Sequence, residues 1–275
     1  MDQQVHSDAR HDGEELTSAS WAALRAQAEA GTWPGHCPPS RQAMGAPYAE
    51  RCGALYAPLA RSPAFVLAQV GQSLDGRVAT VDGDARNISG AAGLRHLHRC
   101  RALVDAIVVG VGTVVADDPS LTVRLVEGRN PVRVVIDPRG RIPRQARLLH
   151  DAAAPVLLVH GPDARVDDLT VPCLALPMDD AGRIEAPAIV QALAARGLRR
   201  VLVEGGACTI ASFLEAGCLD RLHVAIAPLI IGAGPTGLAL PPVSSLSQAR
   251  RPRTTSYDLG GDVVFDCELR EAPMS

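Results

Sequence analysis

From Ala64 to Leu269 the chain alternates short apolar runs of strand length with stretches of helical period. The apolar runs are Ala64–Val70, Ala106–Val111, Val132–Asp137, Val156–His160, Arg200–Glu204, Leu222–Pro228 and Val263–Leu269. Between several of them, "SGAAGLRHLHRCRALV", "EAPAIVQALAARG" and "ACTIASFLEAG" place apolar residues at helical spacing, as with Ile189, Val190, Leu193 and Ala194. Strands joined through helices run parallel, because each crossover returns the chain to the same end of the sheet. The pattern therefore predicts an α/β fold with a mostly parallel central sheet and helices on both faces. The last two runs have no helix between them, which predicts an antiparallel finish.

The first 61 residues have another texture. "ELTSASWAALRAQAEAG" predicts one helix, with Thr17, Ser18 or Ser20 as N-cap and Gly31 as the stop. The Pro-, Gly- and Ala-rich stretch after it predicts an extended arm. The expected division is residues 1–61 as helix and arm, and 62–270 as one α/β domain. With 47% hydrophobic but only 3% aromatic residues, the core must be aliphatic. A net charge of −3 offers no footprint for nucleic acid. No run of about 18 apolar residues suggests a membrane span, and the polar start lacks a signal peptide. A cytoplasmic location is expected. Seven cysteines without a C-x-x-C pair fit a reducing compartment, and no metal is expected because zinc-ligand spacings are missing.

Two features point to ligand chemistry. In "VLVEGGACTIASFLEAG" an apolar strand ends in Glu204, followed by Gly205-Gly206 and a helix. Ligands of open α/β sheets bind beyond the carboxyl ends of strands. Paired glycines let backbone approach a phosphate, and a helix start offers free N–H groups. A tight strand-to-helix turn would use the same residues. Glu204 needs either a cationic neighbour or a polar ligand. The second feature is Arg101, which falls inside the apolar stripe formed by Leu94, Leu97, Cys100 and Val104 on one helix. An inward arginine requires an anion, either a carboxylate of the protein or a bound phosphate. His96 is expected in solvent, and His98 borders the stripe. Gly71, inside a strand run, suggests close approach to the backbone. Asp75-Gly76 is a turn signal.

"VVGVGTVVADDPSLTVR" offers Gly110 and Gly112 to a dinucleotide-binding loop, but Val115 stands where the third glycine belongs. Thr113 is suited to capping or phosphate binding. Asp117-Asp118-Pro119 stops a short helical turn, and Arg124 leaves on an extended segment.

In order and spacing, "SLDGRVA", "HRCRALVDAIVVGVGTVVADDPSLTVR", "VVIDPRGRIP" and "VLVEGGACTIASFLEAGCLDRLHVAIAPLIIG" resemble the riboflavin-biosynthesis reductase family. This is the reductase half of a bifunctional deaminase–reductase and its stand-alone relatives. The resemblance covers about Ala64 to Leu269. It implies a dihydrofolate-reductase-like fold and NADPH-dependent reduction of the ribosyl group of a ribosylaminopyrimidine 5′-phosphate to ribityl. A homodimer is implied as well. By matching motif, Arg101, Leu121, Arg124 and Glu204 would contact this phosphorylated pyrimidine. Gly71, Thr113, Asp117, Gly205, Gly206, Ala207, Cys208 and Thr209, within a loop reaching Ser212, would hold the cofactor. Glu204 and Asp117 are the catalytic candidates, with water as a further proton source. Arg139 and Arg141 are candidates for the 2′-phosphate. Gln69 stands where the family often has a lysine, and Ala85 where a relative has a serine. These departures keep open a pathway-specific reductase of another carbonyl or imine compound. A non-catalytic nucleotide-binding paralogue is the third alternative. The H-x-E and P-C-x-x-C signature of the deaminase is absent, so neither deaminase activity nor zinc is expected.

Overall fold

The computed structural model describes residues 16–30, 48–86 and 88–270. Gly31, the expected helix stop, lies outside them. In chain order the elements are α1 (Ser18–Ala30), α2 (Tyr48–Arg61), β1 (Phe65–Ser73), α3 (Ala91–Ala102), β2 (Ala106–Gly110), α4 (Val111–Asp117), β3 (Val132–Ile136) and β4 (Val156–His160). They continue with β5 (Cys173–Ala175), α5 (Ala186–Ala194), β6 (Arg200–Glu204), α6 (Ala207–Glu215), β7 (Arg221–Ala227), β8 (Arg253–Asp258) and β9 (Val263–Glu268).

The nine strands form one sheet in the order β5-β4-β3-β2-β6-β1-β7-β9-β8. Every pair from β5 to β7 is parallel, and β9 pairs antiparallel with both β7 and β8. The mostly parallel sheet with an antiparallel finish is thus the observed architecture. Strands β4 and β6 are buried nearly end to end, as strands covered on both faces must be. Side chains alternate between two cores. Val66, Ala68 and Val70 of β1 join Ile189 and Leu193 of α5 and Ile210 and Phe213 of α6. Phe65 and Leu67 join the opposite core with Trp21 of α1, Leu55 and Leu59 of α2, and Cys100 of α3.

The two edges differ from the middle. β5 has only three residues, exposed at Cys173 and Ala175 and half-buried at Leu174, and β8 ("RTTSYD") is exposed except at Tyr257. The apolar stretch of β5 is only three residues long and β8 is polar, so the sequence did not announce them. Residues 48–61 are also not an extended arm. They form α2, because Leu55, Tyr56, Leu59 and Ala60 recur on one helical face and are all buried, despite Pro58 within the helix. The N-cap of α1 is Thr17, whose Oγ1 accepts the Ser20 N–H at 3.1 Å. Asp105, just before β2, ties α1 to the sheet. Its carboxylate accepts the Arg199 and Arg200 N–H groups (3.0 and 2.8 Å) and pairs with the Arg200 guanidinium, which donates to the Ala28 carbonyl of α1 (2.7 Å).

The topology fixes where a ligand can sit. From β2 the chain moves outward to β3, β4 and β5, then returns through α5 to place β6 between β2 and β1. From β6 it passes through α6 to β7, on the other side of β1. The neighbours β2 and β6 therefore send their onward connections in opposite directions. Such a switch point opens a crevice at the strands' carboxyl ends. Among the described residues, no helix is long and apolar enough to cross a membrane.

Because α2 supplies core rather than covering, Leu55→Ala is expected to destabilise the chain by about 2–5 kcal/mol. Urea denaturation followed by circular dichroism checks this. An unchanged midpoint would mean that α2 is not part of the cooperative core.

Candidate active site

Glu204 ends β6 at the crevice, and Arg101 reaches it from the last turn of α3. The two side chains meet fork to fork, with Arg101 Nε donating to Glu204 Oε1 (2.8 Å) and Nη2 to Oε2 (2.7 Å). Each is only 8% exposed. Arg101 Nη1 donates to the Thr122 carbonyl at 2.9 Å. Burial draws the guanidinium pKa down, but the Glu204 charge and its hydrogen bond outweigh that and raise it. The two residues that each required an opposite charge satisfy one another. Three of the five N–H donors of Arg101 are used, leaving two for a ligand.

Arg124 lies exposed beside this pair. Among the described residues, its guanidinium hydrogen-bonds only the Thr122 hydroxyl (3.2 Å), while its backbone N–H donates to His98 Nδ1 (2.9 Å). His98 is buried, and burial, followed by the charges of Arg101 and Arg124, holds its pKa down at about 4. It is neutral at pH 7, as an acceptor must be. The role of His98 escaped the sequence reading, although it lies three residues before Arg101 on the same helix face.

On the other side of Glu204 the chain turns through Gly205 and Gly206, both with positive φ (+66° and +71°), into α6. Thr113, in the first turn of α4, and Thr209, in the first turn of α6, pack against them. A Cβ on Gly205 would stand 3.2 Å from Thr113 Cγ2, and one on Gly206 3.2 Å from Thr209 Oγ1. Gly110, the N-cap of α4, is as close, since its Cβ would fall 2.6 Å from Thr209 Oγ1. The three glycines thus let the Thr113 and Thr209 side chains pack directly on the backbone at the start of α6, a cradle of backbone and two hydroxyls. Helix N-termini of this kind attract anions.

The segment between the cradle and Arg124 is strained. Asp118 (φ 40°) and Leu121 (φ 51°) adopt left-handed backbone, costing each about 1–2 kcal/mol. Asp118 caps the end of α4, and its carboxylate accepts the Arg147 N–H at 2.8 Å. Leu121 is buried, immediately before Thr122. Asp117 is exposed at the end of α4, roughly 6 Å along the axis from Thr113. The acidic pair is therefore divided between a helix cap and a solvent-facing carboxylate.

The structure brings together Arg101, Glu204, Leu121 and Arg124 through Thr122 and His98. It joins Thr113, Gly205, Gly206 and Thr209 in the cradle, with Ala207 and Cys208 on the first turn of α6. Among the described residues, no contact links Asp117 to either group. Gly71 belongs to the same sheet, and a Cβ there would meet Ser89 Oγ at 2.7 Å. Arg139 and Arg141 are exposed, beyond β3. Two expectations about α3 are corrected. Leu94 is 37% exposed, so it does not belong to a buried stripe, and His96 is fully buried rather than solvated. The inward face of α3 is built largely from His96, His98, Arg99, Cys100 and Arg101, which polar partners make affordable. Val111–Asp117 is a helix of seven residues, more than the single turn expected.

A family model described as the RibD C-terminal domain matches residues 64–265. The chain belongs to that family. It is 35% identical over 214 residues to the 2,5-diamino-6-ribosylamino-4(3H)-pyrimidinone 5′-phosphate reductase of Methanothermobacter thermautotrophicus, covering 75% of this chain and 98% of that one. It is 40% identical over 172 residues to riboflavin biosynthesis protein RibD of Bacillus amyloliquefaciens, covering 61% of this chain but 46% of that protein. The chain thus spans about half of the bifunctional-length relatives. A crystal structure of the Thermotoga maritima deaminase/5-amino-6-(5-phosphoribosylamino)uracil reductase superposes with a TM-score of 0.63 at 26% identity, covering 74% of this chain and 56% of that one.

The neutral His98 gives a pH signature. Its folded pKa of about 4 lies below the unfolded value of 6.5, so between them the unfolded chain binds more protons. The contribution of His98 to stability is whole above pH 6.5 and is lost as the pH falls to about 4. His98→Asn, which keeps an acceptor for Arg124 but does not titrate, is expected to lose less stability over that window. Urea midpoints at pH 7, 5.5 and 4.5 read the difference.

Proposed function

We propose that the chain reduces the ribosyl group of a ribosylaminopyrimidine 5′-phosphate to ribityl, using NADPH. The observation that carries this reading is the topological switch point, where a glycine turn into a helix start and a buried arginine meet at one residue, Glu204. The names of the relatives support the substrate class. The cradle at Gly110, Gly205 and Gly206 fits a phosphate-bearing cofactor because side chains there would fill it. Thr113 and Thr209 supply hydroxyls, and the first turn of α6, from Ala207 to Thr209, supplies backbone N–H groups. When bound, the nicotinamide supplies a hydride.

The chain's own residues bind and orient. Arg124, exposed and nearly unengaged, takes the substrate phosphate, turning remote binding energy into alignment of the ribosyl group. Arg101, locked by Glu204, offers its two remaining N–H groups to substrate oxygens. With both carboxylate oxygens engaged, Glu204 serves first to position Arg101. Asp117 contributes from the solvent side of the cradle, where water has access to replace a transferred proton. Gln69, buried beside Glu204 in the strand register, favours a narrower reading in which the pyrimidine differs from that of lysine-bearing relatives.

Steady-state reduction with NADPH tests the proposal. Arg124→Ala is expected to raise KM for the phosphorylated substrate about ten- to a hundredfold, the worth of a charged hydrogen bond, with KM for NADPH unchanged. Gly110→Ala is expected to do the reverse, weakening NADPH at least about tenfold, because its methyl displaces Thr209. A wild-type chain that binds NADPH but turns over no ribosylaminopyrimidine phosphate would favour the narrower reading. One that binds no nicotinamide cofactor would overturn both.

A further inference from the structure

Beside the Arg101–Glu204 pair lies a second polar cluster that the proposed reduction does not use. His96 and Cys100 stand one turn apart on α3, and His223 faces them from β7. All three are fully buried. Cys100 Sγ is 3.7 Å from His96 Nε2 and 3.8 Å from His223 Nδ1. The three ligand atoms lie within 4.8 Å of one another. A sulfur–metal bond of about 2.3 Å and a nitrogen–metal bond of about 2.0–2.1 Å, at angles of about 109–120°, place S and N about 3.5–3.8 Å apart. The two sulfur–nitrogen spacings match a shared ion, toward the trigonal end.

The surroundings are those of a ligating pair of histidines. Each imidazole turns its other nitrogen to an oxygen. His96 Nδ1 is 2.9 Å from Tyr56 Oη, and His223 Nε2 is 3.4 Å from Asp266 Oδ1. Among the described residues, neither His223 Nε2 nor Asp266 Oδ1 makes a hydrogen bond elsewhere, although both are buried. Asp266 is held in place through its other oxygen by Arg221. A carboxylate or hydroxyl behind each histidine is the arrangement that fixes tautomer and ring orientation at metal sites.

We propose that His96, Cys100 and His223 bind one thiophilic closed-shell metal ion, zinc(II) or copper(I). Thiolate and imidazole together select such ions over hard cations. As the sulfur–metal bond forms, the Cys100 S–H proton passes to solvent. Copper(I) needs only these three ligands; zinc(II) takes a water as its fourth. The bound ion would pin α3 to β7, one residue away from Arg101. The expectation of no metal rested on spacing along the chain. Here two ligands are four residues apart on a helix, and the third comes 123 residues after Cys100.

The test reads metal, not turnover, so it stands apart from the reductase proposal. Full-length chain is refolded with zinc(II), or anaerobically with copper(I), dialysed against a weak chelator, and analysed for metal. One equivalent of either ion is expected. Copper(I) alone marks three-coordination, and zinc(II) marks an added water. Cys100→Val, close in volume, is expected to fold by circular dichroism and to lose the ion, although the other six cysteines remain. Cobalt(II) supplies a second readout that needs no variant, because thiolate ligation produces a near-ultraviolet sulfur-to-cobalt band. Retention of neither ion by wild type, equal retention by Cys100→Val, or a cobalt complex without that band would overturn the proposal.

Discussion

Arg101 and Glu204 are each almost wholly withdrawn from water, at the seam between α3 and β6. Charge in such a place is tolerated only when opposed, and removing one member of a buried pair costs about 3–5 kcal/mol. The pair therefore constrains the placement of everything around it. It holds the end of α3 against the central strand, and through Thr122 it holds the strained segment that carries Leu121 and Arg124. Beside it, burial and then the charges of Arg101 and Arg124 keep His98 uncharged and able to accept the Arg124 N–H. A neutral pair of apolar residues could fill the same volume, but it would present no donors to the crevice.

The crevice itself is a product of chain order. β6 is inserted late between β2 and β1, after the chain has already built the outer strands. That insertion brings Glu204 and the two glycines next to the end of β2, so that α4 and α6 begin side by side. Neither α4 nor α6 has a side-chain N-cap. Their first N–H groups are left for threonine hydroxyls, water or a ligand, and the glycines with positive φ keep the approach clear.

The legible parts of the fold were those written in apolar residues. The inner strands appear as short runs dominated by apolar residues, and all seven of those runs are strands. β5 and β8 were silent because edge strands bury little, and α2 was hidden by its proline and small residues even though Leu55, Tyr56, Leu59 and Ala60 have a helical period. For the site, Arg101 and Glu204 could each be marked as needing a partner, since charge beside apolar runs is conspicuous. That they are each other's partner, 103 residues apart, is a fact of topology rather than spacing. The inner face of α3 was misjudged for the same reason. His96 looks like a surface residue until Tyr56, Cys100 and His223 are brought around it.

The short, largely exposed β5 and the polar β8 also govern how the molecule meets copies of itself. A sheet of nine strands ends in two rows of backbone groups to which a foreign strand could attach. At β5 an incoming chain would find only three residues to pair with, and at β8 a face of Arg253, Thr254, Thr255 and Ser256 that stays wetted. Templated growth from either side would gain few hydrogen bonds and bury almost no hydrocarbon. The valine- and leucine-rich strands, which would be hazardous if they lay outermost, are kept inside the stack by these weak borders.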